Sequence, residues 1–121
     1  MAKVLIVDDS IAIRQQLKMS LLGLGHDVQE AENGLQGLES AKKVQFEVII
    51  VDMNMPVMNG MEMVDSIRRL EAYRNTPIFM LTTQAGKEIA KKGKEIGVTA
   101  WMVKPFKTDM LRKGLQRVLA A

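Results

Sequence analysis

VIIVDMNMPVMNG, residues 48–60, sets the reading of the whole chain. Its first four residues are β-branched and apolar with no polar residue alternating, so a strand here must be covered on both faces, as in a parallel sheet between helices. The run ends at Asp52, a carboxylate placed where the strand leaves the core. Pro56 then interrupts helical continuation, and Asn59 is suited to cap the helix that starts beyond it.

Working outward, the runs VLIV from Val4, IFML from Ile78 and AWMV from Ala100, with a weaker DVQEA from Asp27, bring the expected strands to five. Between them, Ile13, Leu17, Leu21 and Leu24 fall on one helical stripe, as do Leu111, Leu115, Val118 and Leu119. Ser10 and Asn33 are further candidate caps, Gly25 and Gly97 sit where helices should stop, and Pro77 is another break. Strand and helix alternate throughout. The expected fold is therefore α/β, a three-layer (βα)5 doubly wound parallel sheet with right-handed crossovers. A chain of 121 residues can bury one core, and with no repeat or linker a single domain over residues 1–121 is expected. The amphipathic carboxyl end, finishing in LAA, favours a stand-alone protein.

Composition narrows the function. With no cysteine, neither a disulfide framework nor a thiolate metal site can form, and a cytoplasmic location is expected. MAKVLIVDDS reaches acidic residues too soon for a signal-peptide core, and no apolar stretch approaches spanning length, so no membrane insertion is expected. The net charge of +3 is uneven: Lys87, Lys91, Lys92 and Lys94, then Lys104, Lys107, Arg112, Lys113 and Arg117, gather towards the carboxyl end. Aromatic residues make up only 4%, and no recognition helix or stacking motif accompanies the lysines, which ranks a solvated or protein-docking face above nucleic-acid binding. The methionines read mostly as gap fillers, with Met53, Met55 and Met58 near enough to the site loop to touch a partner. His26, at a helix-to-strand turn, reads as a surface or capping residue.

In an open α/β sheet, ligands bind beyond the carboxyl ends of the strands. There the chain collects Asp8 and Asp9 after the first strand, Asp52 after the third, Thr82 after the fourth and Lys104 after the fifth. Adjacent acids after a strand are often only helix caps. Three carboxylates converging on one rim nevertheless repel unless a cation or protons intervene, and an all-oxygen set suits a hard cation such as Mg²⁺. Magnesium uses few protein ligands, which leaves one carboxylate free as a nucleophile towards phosphorus. Lys104 can neutralise charge on a transferred phosphoryl group, and Thr82 can hydrogen-bond one of its oxygens.

VLIVDDS, VIIVDMNMPVMNG, LTT and MVKPF, in this order and spacing, resemble the receiver domains of two-component response regulators, and the match spans essentially the whole chain. Among them the chain looks most like the single-domain, CheY-like chemotaxis type. The resemblance implies a flavodoxin-like sheet of strand order 2-1-3-4-5. It implies that Asp52 is the phosphoacceptor, that Asp9, Asp52 and the Asn54 carbonyl bind Mg²⁺ directly, and that Asp8 acts largely through water. The phosphodonor would be a histidine kinase or phosphotransfer protein. Thr82 and Trp101 would form the switch, with Trp101 standing where the family often has Tyr or Phe. Asn54 and Gln84 would tune dephosphorylation, and the Lys104-Pro105 bond would be cis. Such a protein is a phosphoacceptor that assists its own phosphorylation and dephosphorylation, and it signals to a downstream protein target through the face of helix four, strand five and helix five.

Two other functions fit parts of the pattern. An aspartyl-phosphate phosphohydrolase of the haloacid-dehalogenase type also uses an aspartate nucleophile with magnesium, but places it after the first strand with a second acid two residues on; here that position is Asn54. A phosphorylation-independent scaffolding module would have no use for the intact acid and lysine set.

Overall fold

The computed structural model describes residues 2–83 and 86–119. Five strands form where the apolar runs placed them: β1 Lys3–Val7, β2 Asp27–Ala31, β3 Val48–Asp52, β4 Ile78–Thr82 and β5 Ala100–Val103. They alternate with α1 Ile11–Gly23, α2 Gly34–Lys43, α3 Gly60–Arg68, α4 Lys87–Ile96 and α5 Thr108–Leu119, and a single 3-10 turn, Glu71–Tyr73, leads into β4. The sheet is parallel with order β2-β1-β3-β4-β5, as the resemblance implied.

Alternate residues of the central strands feed two cores. Leu5, Val7, Ile49, Val51 and Met80 pack with Leu38 of α2 and Met63, Val64 and Ile67 of α3. Val4, Ile6, Ile50, Phe79 and Leu81 pack on the other face with Leu17 and Leu21 of α1 and Leu111 and Leu115 of α5. β3 and β4 are buried along their whole length, whereas the edge strand β2 buries only Ala31, which is why its run reads as weakly apolar.

The helix ends follow the expected signals. Ser10 accepts from the Ile13 amide at 3.3 Å and Asn33 from the Gln36 amide at 2.9 Å. Asn59 and Glu62 form a reciprocal capping box, with bonds of 2.9 and 3.1 Å. α4 closes on Gly97 in the left-handed conformation, φ 101°, where Arg68 from α3 donates to the Gly97 carbonyl at 2.7 and 3.0 Å. α4 is otherwise lightly seated: Gly93 is its only buried residue.

The register aligns the strand ends. Val7 pairs with Val51, Asp52 with Leu81, and Thr82 with Val103, so Asp8, Asp52, Thr82 and Lys104 emerge on one rim. Past Asp52 the loop carries Val57 at φ 70°, and its side chain is 77% exposed. A β-branched side chain in the left-handed region is strained with no packing to offset it, whereas asparagine tolerates that conformation. Val57→Asn is expected to raise the unfolding free energy by about 0.5–1 kcal/mol in urea titration; a lower midpoint would show that Val57 contributes more to the loop than its exposure indicates.

Candidate functional site

The rim is built by short backbone ties. Asp8, fully buried, donates its amide to the Ala31 carbonyl at 3.2 Å and accepts the Ser10 amide on Oδ1 at 2.9 Å. Asp9 follows it into solvent. Asp52, only 4% exposed, closes β3, and the amide of Asn54 lies 3.4 Å from its Oδ1. The start of α3 sits so close that a side chain on Gly60 would collide with the Asp52 carbonyl. One carboxylate oxygen from each of Asp8, Asp9 and Asp52 lies within 4.8 Å of the others.

Lys104 enters from the loop after β5, at a cis bond to Pro105. Its Nζ stands 3.1 Å from Asp8 Oδ2 and 3.1 Å from Asp52 Oδ1. Its amide donates to the Thr82 carbonyl at 2.8 Å, which ties the lysine to the end of β4. Thr82 itself is buried beside them.

One ammonium against three carboxylates leaves the cluster negative. Burial, then repulsion from Asp8, raises the Asp52 pKa above the ordinary carboxylate value, against the pull of the Lys104 hydrogen bond. Burial pulls the Lys104 ammonium down, but its hydrogen bond to Asp52 and the Asp8 charge outweigh that and leave it raised. Both values move up, which disfavours the charged acid and favours the charged lysine, because one ammonium is shared between two acids and gains from both while fully neutralising neither. Asp8 Oδ2 shows the same shortfall. Although the ammonium stands 3.1 Å away, Oδ2 is a buried side-chain oxygen with no hydrogen-bond partner among the described residues. An all-oxygen trio with an unsatisfied buried oxygen fits a hard divalent cation.

Thus Asp8, Asp9, Asp52, Thr82 and Lys104 come together as expected, and Asn54 stands exposed in the β3–α3 loop. Trp101 lies on the sheet face that α4 covers, half-buried, with its indole against Gly93. Gln84 lies outside the described residues. His26 accepts the Ala2 amide on Nδ1 at 3.0 Å, a capping contact remote in the fold from the rim. Two residues escaped the sequence reading. Arg14 falls on the buried stripe of α1 with Leu17 and Leu21, and a charged residue on such a stripe was the available signal. Gly93, a glycine inside a helix between two lysines, was the other, since helix interiors disfavour glycine unless something approaches closely.

Residues 4–116 match the family model of the response regulator receiver domain. The chain is 41% identical to the chemotaxis protein CheY homolog of Campylobacter jejuni over 119 residues, 97% of this chain and 92% of the relative. It is similar in structure to chemotaxis protein CheY4 of Vibrio cholerae, with TM-score 0.94, 50% identity and 98% of each chain covered. It is also similar to the receiver domain of a sensor histidine kinase from Pseudomonas aeruginosa, with TM-score 0.91, 28% identity and coverage of 99% and 98%; that structure has a magnesium ion coordinated in its active site cleft.

A group whose folded pKa is raised contributes stability that is complete below its unfolded pKa and lost as pH rises through the folded value. Ionised Asp52 therefore costs the fold stability at neutral pH without divalent cation. Asp52→Asn is expected to raise the thermal midpoint at neutral pH, with a gain that shrinks as pH falls through the carboxylate range. A midpoint lowered at neutral pH would mean that attraction to Lys104 outweighs burial.

Proposed function

We propose how the site works from the premise that the chain belongs to the response regulator receiver family. It is a response regulator of two-component signalling with chemotaxis-type relatives. No described helix is long and apolar enough to cross a membrane.

Asp52 accepts the phosphoryl group, and the donor is the phosphohistidine of a histidine kinase or phosphotransfer protein. The observation that carries this reading is the Lys104 ammonium held 3.1 Å from both Asp8 and Asp52. A carboxylate oxygen of Asp52 attacks phosphorus, an acyl phosphate bond forms, the phosphorus–nitrogen bond breaks, and the imidazole keeps the electron pair and takes up a proton. Lys104 turns from Asp52 to the incoming phosphoryl oxygens, and the Thr82 hydroxyl donates to another of them. Asp9, Asp52 and the Asn54 carbonyl, with Asp8 beside them, would hold Mg²⁺, which would supply charge neutralisation on the transferring group.

Drawing Lys104 towards the phosphoryl group pulls on the loop bonded to the Thr82 carbonyl. Phosphorylation thereby favours a state in which the loops after β3 and β4 rearrange, Trp101 shifts, and the face of α4, β5 and α5 changes its affinity for a downstream protein. The exposed lysines of α4 suit an acidic partner, and with aromatic residues at only 4% a protein ranks above nucleic acid. Asn54 and Gln84 set the rate at which the acyl phosphate is lost.

The reading predicts a mass increase of one phosphoryl group after incubation with acetyl phosphate and Mg²⁺. It should vanish in Asp52→Asn and without Mg²⁺. Absence of any adduct under conditions that label a control receiver favours the scaffolding function, an adduct that persists in Asp52→Asn assigns the wrong residue, and fast multiple turnover of small phosphate esters favours a hydrolase.

A further inference from the structure

Arg14 is almost fully buried, 9% exposed, yet among the described residues its hydrogen bond and ion pair go to none of the rim carboxylates. Its Nη1 donates to the main-chain carbonyl of Asp8 at 2.6 Å, and its Nε lies 3.4 Å from Oε1 of Glu30 on β2. Lys18 stands 3.4 Å from the other oxygen of the same Glu30. A guanidinium is costly to desolvate, so one buried between a single carboxylate and a backbone carbonyl next to an acidic cluster marks a position that must be held.

The Asp8 carbonyl belongs to the peptide that joins Asp8 to Asp9. Asp8 has other ties: its amide to Ala31, its Oδ1 to Ser10, and its Oδ2 beside Lys104. Asp9 has none of this support. Its side chain is exposed, and among the described residues no hydrogen bond or ion pair holds its carboxylate. Where that carboxylate stands depends on the peptide before it.

We propose that Arg14 is a positioning residue for the cation site: by fixing the Asp8–Asp9 peptide it sets the Asp9 carboxylate for Mg²⁺. This deepens the reading of Asp8, Asp9 and Asp52 as a metal site and rests on it. Magnesium demands near-ideal octahedral geometry at about 2.0–2.1 Å, so a small swing of one ligand weakens binding. Position and charge act in opposite senses here. A cation near the site should by its charge repel Mg²⁺, so removing Arg14 would tighten binding if charge ruled and loosen it if position ruled. Glu30 partners the guanidinium, and position is expected to win.

The test is Mn²⁺ binding followed by the electron paramagnetic resonance signal of free Mn²⁺, with Mg²⁺ as competitor. Arg14→Met should raise the Kd at least about tenfold, the usual effect of losing a group that orients a metal ligand. Arg14→Lys, which can still donate to the carbonyl, should restore part of the affinity. Glu30→Gln, which unpairs the guanidinium, should weaken binding by charge as well as by position. If Arg14→Met does not fold, the matter is decided by Arg14→Lys, which keeps the charge and should still bind more weakly than wild type, whereas unchanged affinity in it overturns the proposal. Tyr73→Phe, which loses hydroxyl bonds of 2.7 Å to the Ala41 and Val44 carbonyls elsewhere in the core, should leave the Kd unchanged and controls for general loosening. With acetyl phosphate, the Mg²⁺ concentration for half-maximal labelling should rise in Arg14→Met while the rate at saturating Mg²⁺ is kept. Binding in Arg14→Met as tight as in wild type, or tighter, overturns the proposal and leaves the metal site standing. Wild-type binding that Asp9→Asn does not weaken overturns both.

Discussion

A single ammonium, Lys104, stands 3.1 Å from each of two carboxylates that the fold buries, Asp8 and Asp52. Burying acids is expensive unless each is paired, and one lysine cannot pair both while Asp9 adds a third negative charge. Much of the architecture serves to hold this imbalance. The parallel register levels the ends of β1, β3 and β4, Gly60 lets α3 close on the Asp52 backbone, and the Lys104 amide is tied to Thr82. The apolar bulk of two cores, one on each sheet face, offsets the cost.

The same imbalance makes the site responsive. A carboxylate held above its ordinary pKa by burial and repulsion gains from any cation that arrives and, on the proposed reading, from conversion to an acyl phosphate whose charge lies towards Lys104 and solvent. In the proposed switch the response travels through the lysine, which is bonded to β4 by its backbone, to a helix that is lightly seated over that part of the sheet. α4 buries only Gly93, against the indole of Trp101, so a shift of that ring meets little resistance from the helix. Arg68, bonded to the Gly97 carbonyl, holds the far end of α4 in place.

The apolar runs were enough to place every strand, since β-branched segments such as VIIV have little choice of environment, and Ser10, Asn33 and Asn59 marked helix starts through side chains that bond the free amides. The charged rim was legible for the same reason: acids and a lysine at strand ends must share one edge of a parallel sheet. Strand order was not legible from pattern and came from the resemblance. Contacts made through the backbone also stayed hidden. Arg14 on the Asp8 carbonyl depends on three-dimensional proximity, and Gly93 under Trp101 depends on the absence of an atom; the left-handed Val57 contradicts the preference of its own residue type.

The central claim is that Asp8, Asp9 and Asp52 form one cation site whose charge Lys104 only partly balances. Anomalous diffraction from a crystal of the protein soaked in Mn²⁺ tests it most directly. The account predicts a peak bounded by these three residues, with the Asn54 main chain alongside. A well-ordered rim with no peak there, or manganese bound only elsewhere on the surface, would contradict it.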